Sequence, residues 1–382
     1  MQFLKTTLLT CFLALGLFSP PLECQVELTE LSEISILTCR PGDDIYNTFG
    51  HTAIMVRDPA LGKNEIYNYG IFDFKTPGFT MKFLRGKLLY YLGLQRYKTF
   101  INAYNYERRS VFEQKLNLNL EDRRNIYSAL KENYKPDNRA YLYDFFFDNC
   151  STRPRDLVLN ELGNIDIPEL NPSRTFRDLI DEYTYGKPWT DFGIDLIVGS
   201  IADRNATALE AMFLPEYLYH NFDQITINGT PLVKESKLLA DHDKQVAKRS
   251  ERSWLTPQLI FVLFLMLELF LFLKYKDTHD NRYLNFYDKF WFILGGLGGL
   301  LIAFMWFGTD HDATKSNINI LILNPLLLLV AFKTKKLIGV FTVGCIITAF
   351  IISPFVQYLH PATILIGVVF LLKALRLLGN RH

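Results

Sequence analysis

A single cysteine, Cys150, lies where the sequence could place a nucleophile beside a helix. It follows the aromatic segment "YLYDFFFDN" and precedes "STRPRDLVLNEL", a pattern that predicts a helix beginning near Ser151 or Thr152. Pro154 fits the first turn of such a helix, because the N–H group that proline lacks has no intrahelical partner there. A helix N-terminus lowers the pKa of a nearby thiol, and its free N–H groups can bind an oxyanion. Cys150 is therefore a candidate nucleophile, although a small thiol can also simply fill a core.

A nucleophilic cysteine needs a base, and histidine is the usual one. Residues 25–250 contain three histidines, His51, His220 and His242. His51 follows Gly50 at the start of a predicted strand, where its side chain can face a cleft. We expect His220 to be a surface or packing residue and His242, in a charged segment, to be solvated. His51 is thus the best candidate base.

Apolar residues are unevenly distributed, and their distribution predicts how the chain meets a membrane. Residues 1–24 combine one lysine, an apolar stretch of about a dozen residues and Pro-Pro, as in a secretory signal peptide, with an uncleaved anchor as the alternative. Residues 25–250 are polar and aromatic and form the predicted exported domain. Residues 251–382 contain five apolar runs that are near the length of a bilayer span, at 254–273, 290–307, 318–332, 337–353 and 361–378.

Charged residues between the apolar runs predict the orientation of this membrane region. The loop after the first run contains Lys274, Lys276, Arg282 and Lys289, and the loop after the third reads "KTKK". The alternate loops, "GTDHDATKSN" and "PFVQYLHP", contain one lysine between them. Basic loops face the cytoplasm. We therefore expect the exported domain and the loop at 308–317 to share the outer face, with a cytoplasmic C-terminus.

Export makes a disulfide an alternative role for Cys150, because exported domains meet an oxidising compartment. Cys24 lies at the end of the predicted signal peptide, and Cys11 and Cys345 lie in apolar segments. Cys39 and Cys150 then remain as an even pair in the exported domain. The residues alone leave both roles open.

The exported domain reads as a mixture of strands and helices. Alternating apolar residues predict strands at 34–39 and 51–58, a partner strand at 65–74 across the turn "PALGKN", and a further strand at 105–118. An apolar stripe predicts a helix at 120–134. The charged segment 234–253, which leads into the first apolar run, is predicted to be a helix. The fold class is therefore α+β, followed by an all-α bundle of about five transmembrane helices.

Composition excludes several functions. Lysine and arginine number 41 against 40 acidic residues, so nucleic acid is not an expected partner. The sequence contains no metal-ligand spacing, phosphate loop or dinucleotide fingerprint, and we expect neither a metal nor another cofactor. Glu268 lies inside the first apolar run, where a charge is costly in lipid, so it should face the bundle or pair with Lys274. Nothing in the sequence indicates the oligomeric state.

Several longer motifs resemble one family. "LTCRPGDDIYNTFGHTAIMV", "YNYGIFDF", "GKLLYYL", "YDFFFDNCSTRPRD", "MFLPEYL" and "TDHDATKSNINILILNPL" together resemble the Lnb-type family of bacterial membrane proteins over nearly the whole chain. That family joins an exported domain to a polytopic membrane half, and its members are implicated as lipoprotein N-acyltransferases. A histidine-bearing strand followed by an "NC" helix start is also similar to circularly permuted papain-like folds, which lipid transacylases use.

The resemblance implies roles for individual residues. It makes Cys150 the nucleophile and His51 the base, and we expect Asn68, or failing that Asp73, to orient the imidazole. Further substrate contacts are expected from the backbone N–H groups around Cys150 and Ser151, from Arg153 and Arg155 toward a lipid phosphate, and from Asp310 and His311 at a lipid entrance. For the two arginines an internal ion pair or a solvated position is the alternative, and for the two loop residues a structural role.

The function implied by the resemblance is acyl transfer through a Cys150 thioester in the bacterial inner membrane. A phospholipid would be the acyl donor, and the α-amine of a diacylglyceryl-cysteine lipoprotein would be the acceptor. Two other functions stay open. The same residues would serve an exported cysteine peptidase or amidase that acts on cell-wall peptides, and the chain could be a non-catalytic, lipid-binding membrane scaffold.

Overall fold

A seven-stranded antiparallel sheet forms the centre of the first half of the chain, in the order β12–β5–β1–β2–β3–β4–β6. The structure is a computed structural model and describes residues 27–169, 173–242, 254–275, 282–332 and 336–379. The predicted signal peptide at 1–24 lies outside the described residues.

The strands of the described chain are β1 Glu33–Cys39, β2 His51–Asp58, β3 Lys63–Ile71, β4 Leu89–Arg96, β5 Val111–Leu116, β6 Ala140–Leu142, β7 Ile165–Asp166, β8 Arg174–Thr175, β9 Asn205–Ala206, β10 Thr226–Ile227, β11 Thr230–Pro231 and β12 Val233–Ala240. The helices of the sheet domain are α1 Phe79–Leu84, α2 Tyr97–Glu107, α3 Leu120–Tyr134, α4 Thr152–Asn160, α5 Phe176–Thr184, α6 Pro188–Ile197, α7 Ala208–Ala211 and α8 Pro215–Phe222. The membrane-type helices are α9 Pro257–Tyr275, α10 Arg282–Phe307, α11 Asn319–Ile322, α12 Leu327–Phe332, α13 Lys336–Val356 and α14 Pro361–Gly379. Short 3-10 turns lie at Ile45–Asn47, Pro59–Leu61, Ser200–Asp203 and Asp312–Thr314.

Both faces of the sheet are covered by helices, because alternate side chains of a strand point to opposite faces. On one face, Ile34 and Ile36 of β1 belong to a core that includes side chains of α3 and α4. On the other face, Leu37 and Cys39 pack with Phe100 of α2. A fully buried large apolar side chain contributes about 1.5–3 kcal/mol, so these two layers hold the sheet in place.

The predicted strands 34–39 and 51–58 and the predicted helix 120–134 are confirmed by β1, β2 and α3. Two other predictions are wrong. Residues 105–118 are not one strand, since α2 extends to Glu107, ends at Arg108 with φ of 55°, and β5 begins only at Val111. The predicted helix at 234–253 begins instead as β12, which pairs with β5 at the sheet edge, where charged side chains stay in solvent. Residues 243–253 lie outside the described part.

Among the described residues, four helices are long and apolar enough to cross a bilayer, namely α9, α10, α13 and α14. The predicted run at 318–332 forms the two short helices α11 and α12 instead of one. Pro325 has no N–H to continue the helix, and the Asn324 side chain accepts the Leu326 N–H at 2.9 Å. A Cβ on Gly299 of α10 would lie 2.2 Å from the Leu323 carbonyl oxygen, so this interruption packs against a glycine. A sheet-containing domain followed by a helical membrane region confirms the predicted fold class.

A buried cluster of four charges joins three membrane helices. Lys373 of α14 donates to Glu268 of α9 at 2.6 Å and to Asp288 of α10 at 2.9 Å. Arg376 donates to Asp288 at 2.5 Å and lies 2.9 Å from Glu268. Glu268 therefore faces the bundle, which is the first of the two positions expected from the sequence. Its described partners, Lys373 and Arg376, are on α14, and the expected pair with Lys274 is not among them.

The loops at one end of the bundle dock on the sheet domain. In the 308–317 loop, the Asp310 N–H donates to the Arg85 carbonyl at 3.0 Å, and the Ala313 carbonyl accepts the Gly199 N–H at 2.8 Å. In the other loop, the Tyr358 N–H donates to Asp203 at 2.9 Å. Both loops thus lie on the side of the bundle that faces the sheet domain.

Candidate active site

Cys150 lies in the turn that leads into α4, and the neighbouring Asn149 shapes that turn. The Asn149 side-chain oxygen accepts the N–H groups of Ser151 at 2.7 Å and Thr152 at 2.9 Å. Its amide donates to the carbonyls of Phe145 and Phe213, at 2.7 and 3.0 Å. The helix therefore begins beside Cys150 as expected. The Ser151 N–H, however, is already bonded to Asn149, which argues against its predicted use as an oxyanion donor.

His51 and Asn68 come to Cys150 from the adjacent strands β2 and β3. The His51 Nε2 lies 2.5 Å from the Asn68 Oδ1, so Nε2 carries a proton and donates it to this oxygen. The His51 Cε1 and the Cys150 Cβ both border Gly70, and interaction with His51 lowers the pKa of the Cys150 thiol. Because Nε2 is bonded to Asn68, Nδ1 is the nitrogen available to Sγ. The structure thus brings together the three residues predicted as nucleophile, base and orienting amide. Asp73 instead caps a surface turn by accepting the Lys75 N–H.

Gly70 makes the approach of Cys150 possible. It has a φ of 91°, which residues with a side chain rarely adopt. A Cβ at this position would lie 3.3 Å from the Cys150 Cβ and 3.9 Å from the His51 Cε1. The strand β3 therefore presents bare backbone where the nucleophile packs.

The surroundings of Sγ favour a thiolate. Burial alone would raise the pKa of Cys150, but the charge and hydrogen bond of His51 lower it, as do the Thr52 backbone N–H and the Tyr143 hydroxyl, and the net pKa is lowered. Burial lowers the pKa of His51, but the Cys150 thiolate and Asn68 outweigh this effect, and its net pKa is raised. A lowered thiol pKa beside a raised imidazole pKa is the arrangement of a thiolate–imidazolium pair.

Tyr143 is a hydrogen-bond donor to this site. Burial, followed by the nearby Cys150 charge, raises its pKa well above the ordinary value, so the phenol keeps its proton. A hydrogen bond from its hydroxyl contributes to the lowered pKa of Cys150, and the edge of its ring and the Cys150 Cβ both border Gly70, so the hydroxyl lies near an oxygen on a carbon bonded to Sγ. Tyr143 can therefore donate to an oxyanion where Ser151 cannot.

Cys39 and Cys150 are both free thiols, so the alternative of a disulfide between them does not hold. Cys39 lies opposite His51 in the β1–β2 register. Burial raises its pKa to about 12, with Arg109 and Tyr104 acting in the opposite direction. Cys39 is therefore an unreactive core thiol beside the site.

The two arginines after Cys150 have internal partners. Arg153 forms a bidentate pair with Asp148, at 2.5 and 2.7 Å, and its guanidinium lies 3.6 Å from the centre of the Tyr141 ring. Arg155 is buried, pairs with Asp156 at 2.6 Å and donates to the Leu209 carbonyl at 2.7 Å. These contacts correspond to the internal ion pairs of the alternative, so the predicted phosphate contacts have no support.

A small apolar cavity of about 180 Å³ lies between Tyr143 and the 308–317 loop. Its lining includes Tyr143 on the sheet domain and His311 on the loop. The His311 Nε2 lies 3.1 Å from the Phe83 carbonyl oxygen. Asp310 is exposed, with its carboxylate 3.7 Å from Lys87 Nζ, and is not part of the cavity lining. Of the two loop residues predicted at a lipid entrance, only His311 borders this cavity.

Two protein-family models match the chain. One describes the Lnb N-terminal periplasmic domain and matches residues 21–182, and the other describes the Lnb transmembrane domain and matches residues 249–380. The chain belongs to the Lnb family. The first match includes Cys150, His51 and Asn68, and the second includes the 308–317 loop. No curated protein and no solved structure matches the chain.

Membership of the Lnb family fits a membrane enzyme that modifies lipoproteins, with its N-terminal domain in the periplasm. Three residues of this Lnb site were not predicted from the sequence as functional: Tyr143, Gly70 and Asn149. Asn149 carries a readable signal, since asparagine is favoured just before a helix. Tyr143 is one of several aromatic residues in its segment, and nothing in the sequence distinguishes it.

A second polar cluster lies where the Lnb sheet domain meets the bundle. Asp191, Asp195 and His360 place potential ligand atoms within 4.8 Å of one another. Arg177 binds the Asp195 carboxylate at 2.5 Å, and the His360 Nδ1 accepts the Ala362 N–H at 3.1 Å. These groups therefore have protein partners and join the two parts of the chain.

Proposed function

We propose that the protein is a lipoprotein N-acyltransferase that carries the acyl chain as a thioester on Cys150. The observation that carries this proposal is the assembly of Cys150, His51 and Asn68 beside a membrane bundle. A thiolate attacks esters readily, and the thioester that results is activated toward amines.

In the first half-reaction, the Cys150 thiolate attacks the ester carbonyl carbon of a phospholipid. A C–S bond forms, and the carbonyl oxygen becomes an oxyanion that accepts a hydrogen bond from the Tyr143 hydroxyl. As the ester C–O bond breaks, the His51 imidazolium gives its proton to the departing oxygen. The products are a lysophospholipid and an acyl thioester on Cys150.

In the second half-reaction, the α-amine of a diacylglyceryl-cysteine lipoprotein attacks the thioester carbonyl. A C–N bond forms, the C–S bond breaks, and the amine proton passes to His51 Nδ1. The amide product leaves, and the thiolate–imidazolium pair is restored. Asn68 holds the imidazole in one orientation throughout, because its oxygen binds the Nε2 proton.

The membrane half supports a lipid donor over a soluble peptide. Tethering the site at the bilayer raises the effective concentration of two substrates that both reside there. A cell-wall peptidase or amidase could use the same three residues, but it would need only one anchor to stay at the membrane. A scaffold without catalysis would have no use for a lowered thiol pKa.

The proposed topology puts the sheet domain in the periplasm, five crossings in the inner membrane and the C-terminus in the cytoplasm. The broken segment of α11 and α12 supplies the third crossing, since it connects the 308–317 loop to the opposite end of the bundle. The basic loops favour this orientation. A C-terminal reporter that is active only in the cytoplasm checks it.

Complementation tests the proposed function. Cells that lack lipoprotein N-acylation should regain N-acylated lipoproteins when they express the wild-type chain. Cys150→Ala and His51→Ala should not restore the modification although both proteins reach the membrane. A hydrolase would instead cleave wall peptides without restoring N-acylation, and a scaffold would keep its cellular effect in Cys150→Ala.

A further inference from the structure

Residues 72–84, which follow β3 and end with α1, expose an apolar surface. Phe74 is 71% exposed, Met81 56%, Phe83 49% and Leu84 37%. Three rings of the segment form a contiguous group, since Phe74 and Phe79 have ring centres 5.1 Å apart and Phe79 and Phe83 6.1 Å apart. A contiguous apolar patch on a soluble domain marks a surface that contacts another apolar phase.

The 72–84 segment lies at the outer end of a membrane helix. The Phe83 carbonyl contacts His311 and the neighbouring Arg85 carbonyl accepts the Asp310 N–H, and both partners are in the loop that follows α10. Phe307, the last residue of α10, is 74% exposed. The exposed patch and the membrane helix therefore meet at the level where the bilayer surface must lie.

Aromatic rings lead from this patch to the nucleophile. Phe74 and Phe72 have ring centres 4.9 Å apart, Phe72 and Tyr90 5.3 Å apart, and Tyr90 and Tyr143 4.6 Å apart. Tyr143 and Cys150 border the same point of β3, since a Cβ on Gly70 would lie 3.9 Å from the Tyr143 Cε2 and 3.3 Å from the Cys150 Cβ. The 180 Å³ cavity follows the same path, because its lining includes Phe83 at the patch and Tyr143 at the site.

We propose that the 72–84 segment inserts into the outer leaflet of the membrane and that the acyl chain of a membrane lipid passes along this aromatic path to Cys150. This inference rests on the proposed function and adds the route and the lipid-binding surface. A methylene chain forms no hydrogen bonds, which suits the apolar lining. The cavity is smaller than the roughly 300–1,000 Å³ of pockets that enclose a whole ligand. The cavity therefore holds only the part of the acyl chain next to the ester, while the remaining methylene groups lie against the exposed patch.

Photo-crosslinking tests the membrane contact without relying on activity. A benzophenone amino acid replaces Met81 in the full-length protein in phospholipid nanodiscs, and mass spectrometry identifies the crosslinked lipid. The matched control replaces Leu31, which is 63% exposed. Leu31 precedes Glu33, the first residue of β1, whereas His51 pairs with Cys39 at the last residue of that strand. We expect crosslinks to acyl-chain carbons from position 81 and none from position 31. No lipid crosslink at position 81, or equal crosslinking at both positions, would overturn the inference.

A comparison of two acyl donors tests the path to Cys150. One donor is a long-chain phospholipid in the nanodisc, and the other is water-soluble p-nitrophenyl acetate, which does not need a route from the membrane. For the double variant Phe74→Ser with Met81→Ser, we expect the ratio of the two acylation rates to fall about tenfold, or about 1.4 kcal/mol in transition-state binding. Leu31→Ser should leave the ratio as in the wild type. An unaltered ratio in the double variant would refute the path. Absence of Cys150 acylation with both donors would instead refute the proposed function. The crosslinking experiment would then still test whether the 72–84 segment contacts the membrane.

Discussion

Replacing His51 with alanine should convert Cys150 from a reactive thiolate into an ordinary buried thiol. In the wild type, burial is the largest influence on Cys150 and acts to raise its pKa, while His51 supplies the two largest opposing effects. Without the imidazole, burial dominates, and the pKa should return to or above its ordinary value of 9.0. The variant should therefore lose reactivity at neutral pH and regain it only under alkaline conditions.

The size of the effect follows from the thiolate fraction. Below the pKa, each unit of upward shift lowers the thiolate fraction about tenfold, which corresponds to about 1.4 kcal/mol. A thiol with a pKa of about 9 is only about 1% thiolate at pH 7. We expect alkylation of His51→Ala at this pH to be slower than that of the wild type, by about tenfold for each unit by which the imidazolium lowers the wild-type pKa.

Iodoacetamide labelling as a function of pH measures this shift, with peptide mass spectrometry to follow Cys150 alone. Cys39 should stay silent, because burial raises its pKa to about 12. Cys150→Ala gives the background, and near-wild-type thermal stability of His51→Ala excludes a loss of fold. If the labelling midpoint of Cys150 is the same with and without His51, the two residues do not form the pair described here.

Three further perturbations test other parts of the account. Asn68→Ala should slow Cys150 acylation about fivefold, because a hydrogen bond contributes about 1 kcal/mol net; Asn68→Asp should retain most of the rate, and equal rates for wild type and Asn68→Ala would argue against an orienting role. Gly70→Ala should lower both the melting temperature and Cys150 labelling, since its Cβ would lie 3.3 Å from that of Cys150. Gly62→Ala, also at positive φ but with open space around it, should lower only stability, and similar labelling in both variants would contradict the packing argument. Lys373→Met should destabilise the bundle by about 3–5 kcal/mol, because it leaves buried carboxylates without one partner, whereas exposed Lys274→Met should have little effect in the same detergent unfolding assay. Equal stabilities for the two lysine variants would argue against a structural charge cluster.

The part of the fold that the sequence predicts is the part that local periodicity determines. The alternation in β1 and β2 and the apolar stripe of α3 are readable because each element buries one face of its own. In contrast, the first five residues of β12 include three charges, and the strand pairs with the edge of β5. Because β5 is more than a hundred residues away in the sequence, the local composition of 233–240 does not predict this pairing.

The candidate site divides in the same way. Cys150 and His51 are recognisable by residue type and by their positions at element ends. Arg153 and Arg155 are held by internal partners, Asp148 and the Leu209 carbonyl, respectively. The spacing of residues around the arginines does not predict these contacts. The contact of Tyr143 with Sγ likewise depends on how the chain turns between β6 and α4, and an aromatic segment does not indicate which ring will face the nucleophile.

The intact mass of the purified protein after incubation with phospholipid shows whether Cys150 carries an acyl chain. We predict an added fatty-acyl mass on Cys150 that hydroxylamine removes and that Cys150→Ala lacks. We also predict transfer of this acyl group to the α-amine of an added diacylglyceryl-cysteine peptide. Lipoprotein N-acylation by the wild type with Cys150 never acylated, or by Cys150→Ala at the wild-type rate, would show that Cys150 is not the acyl carrier.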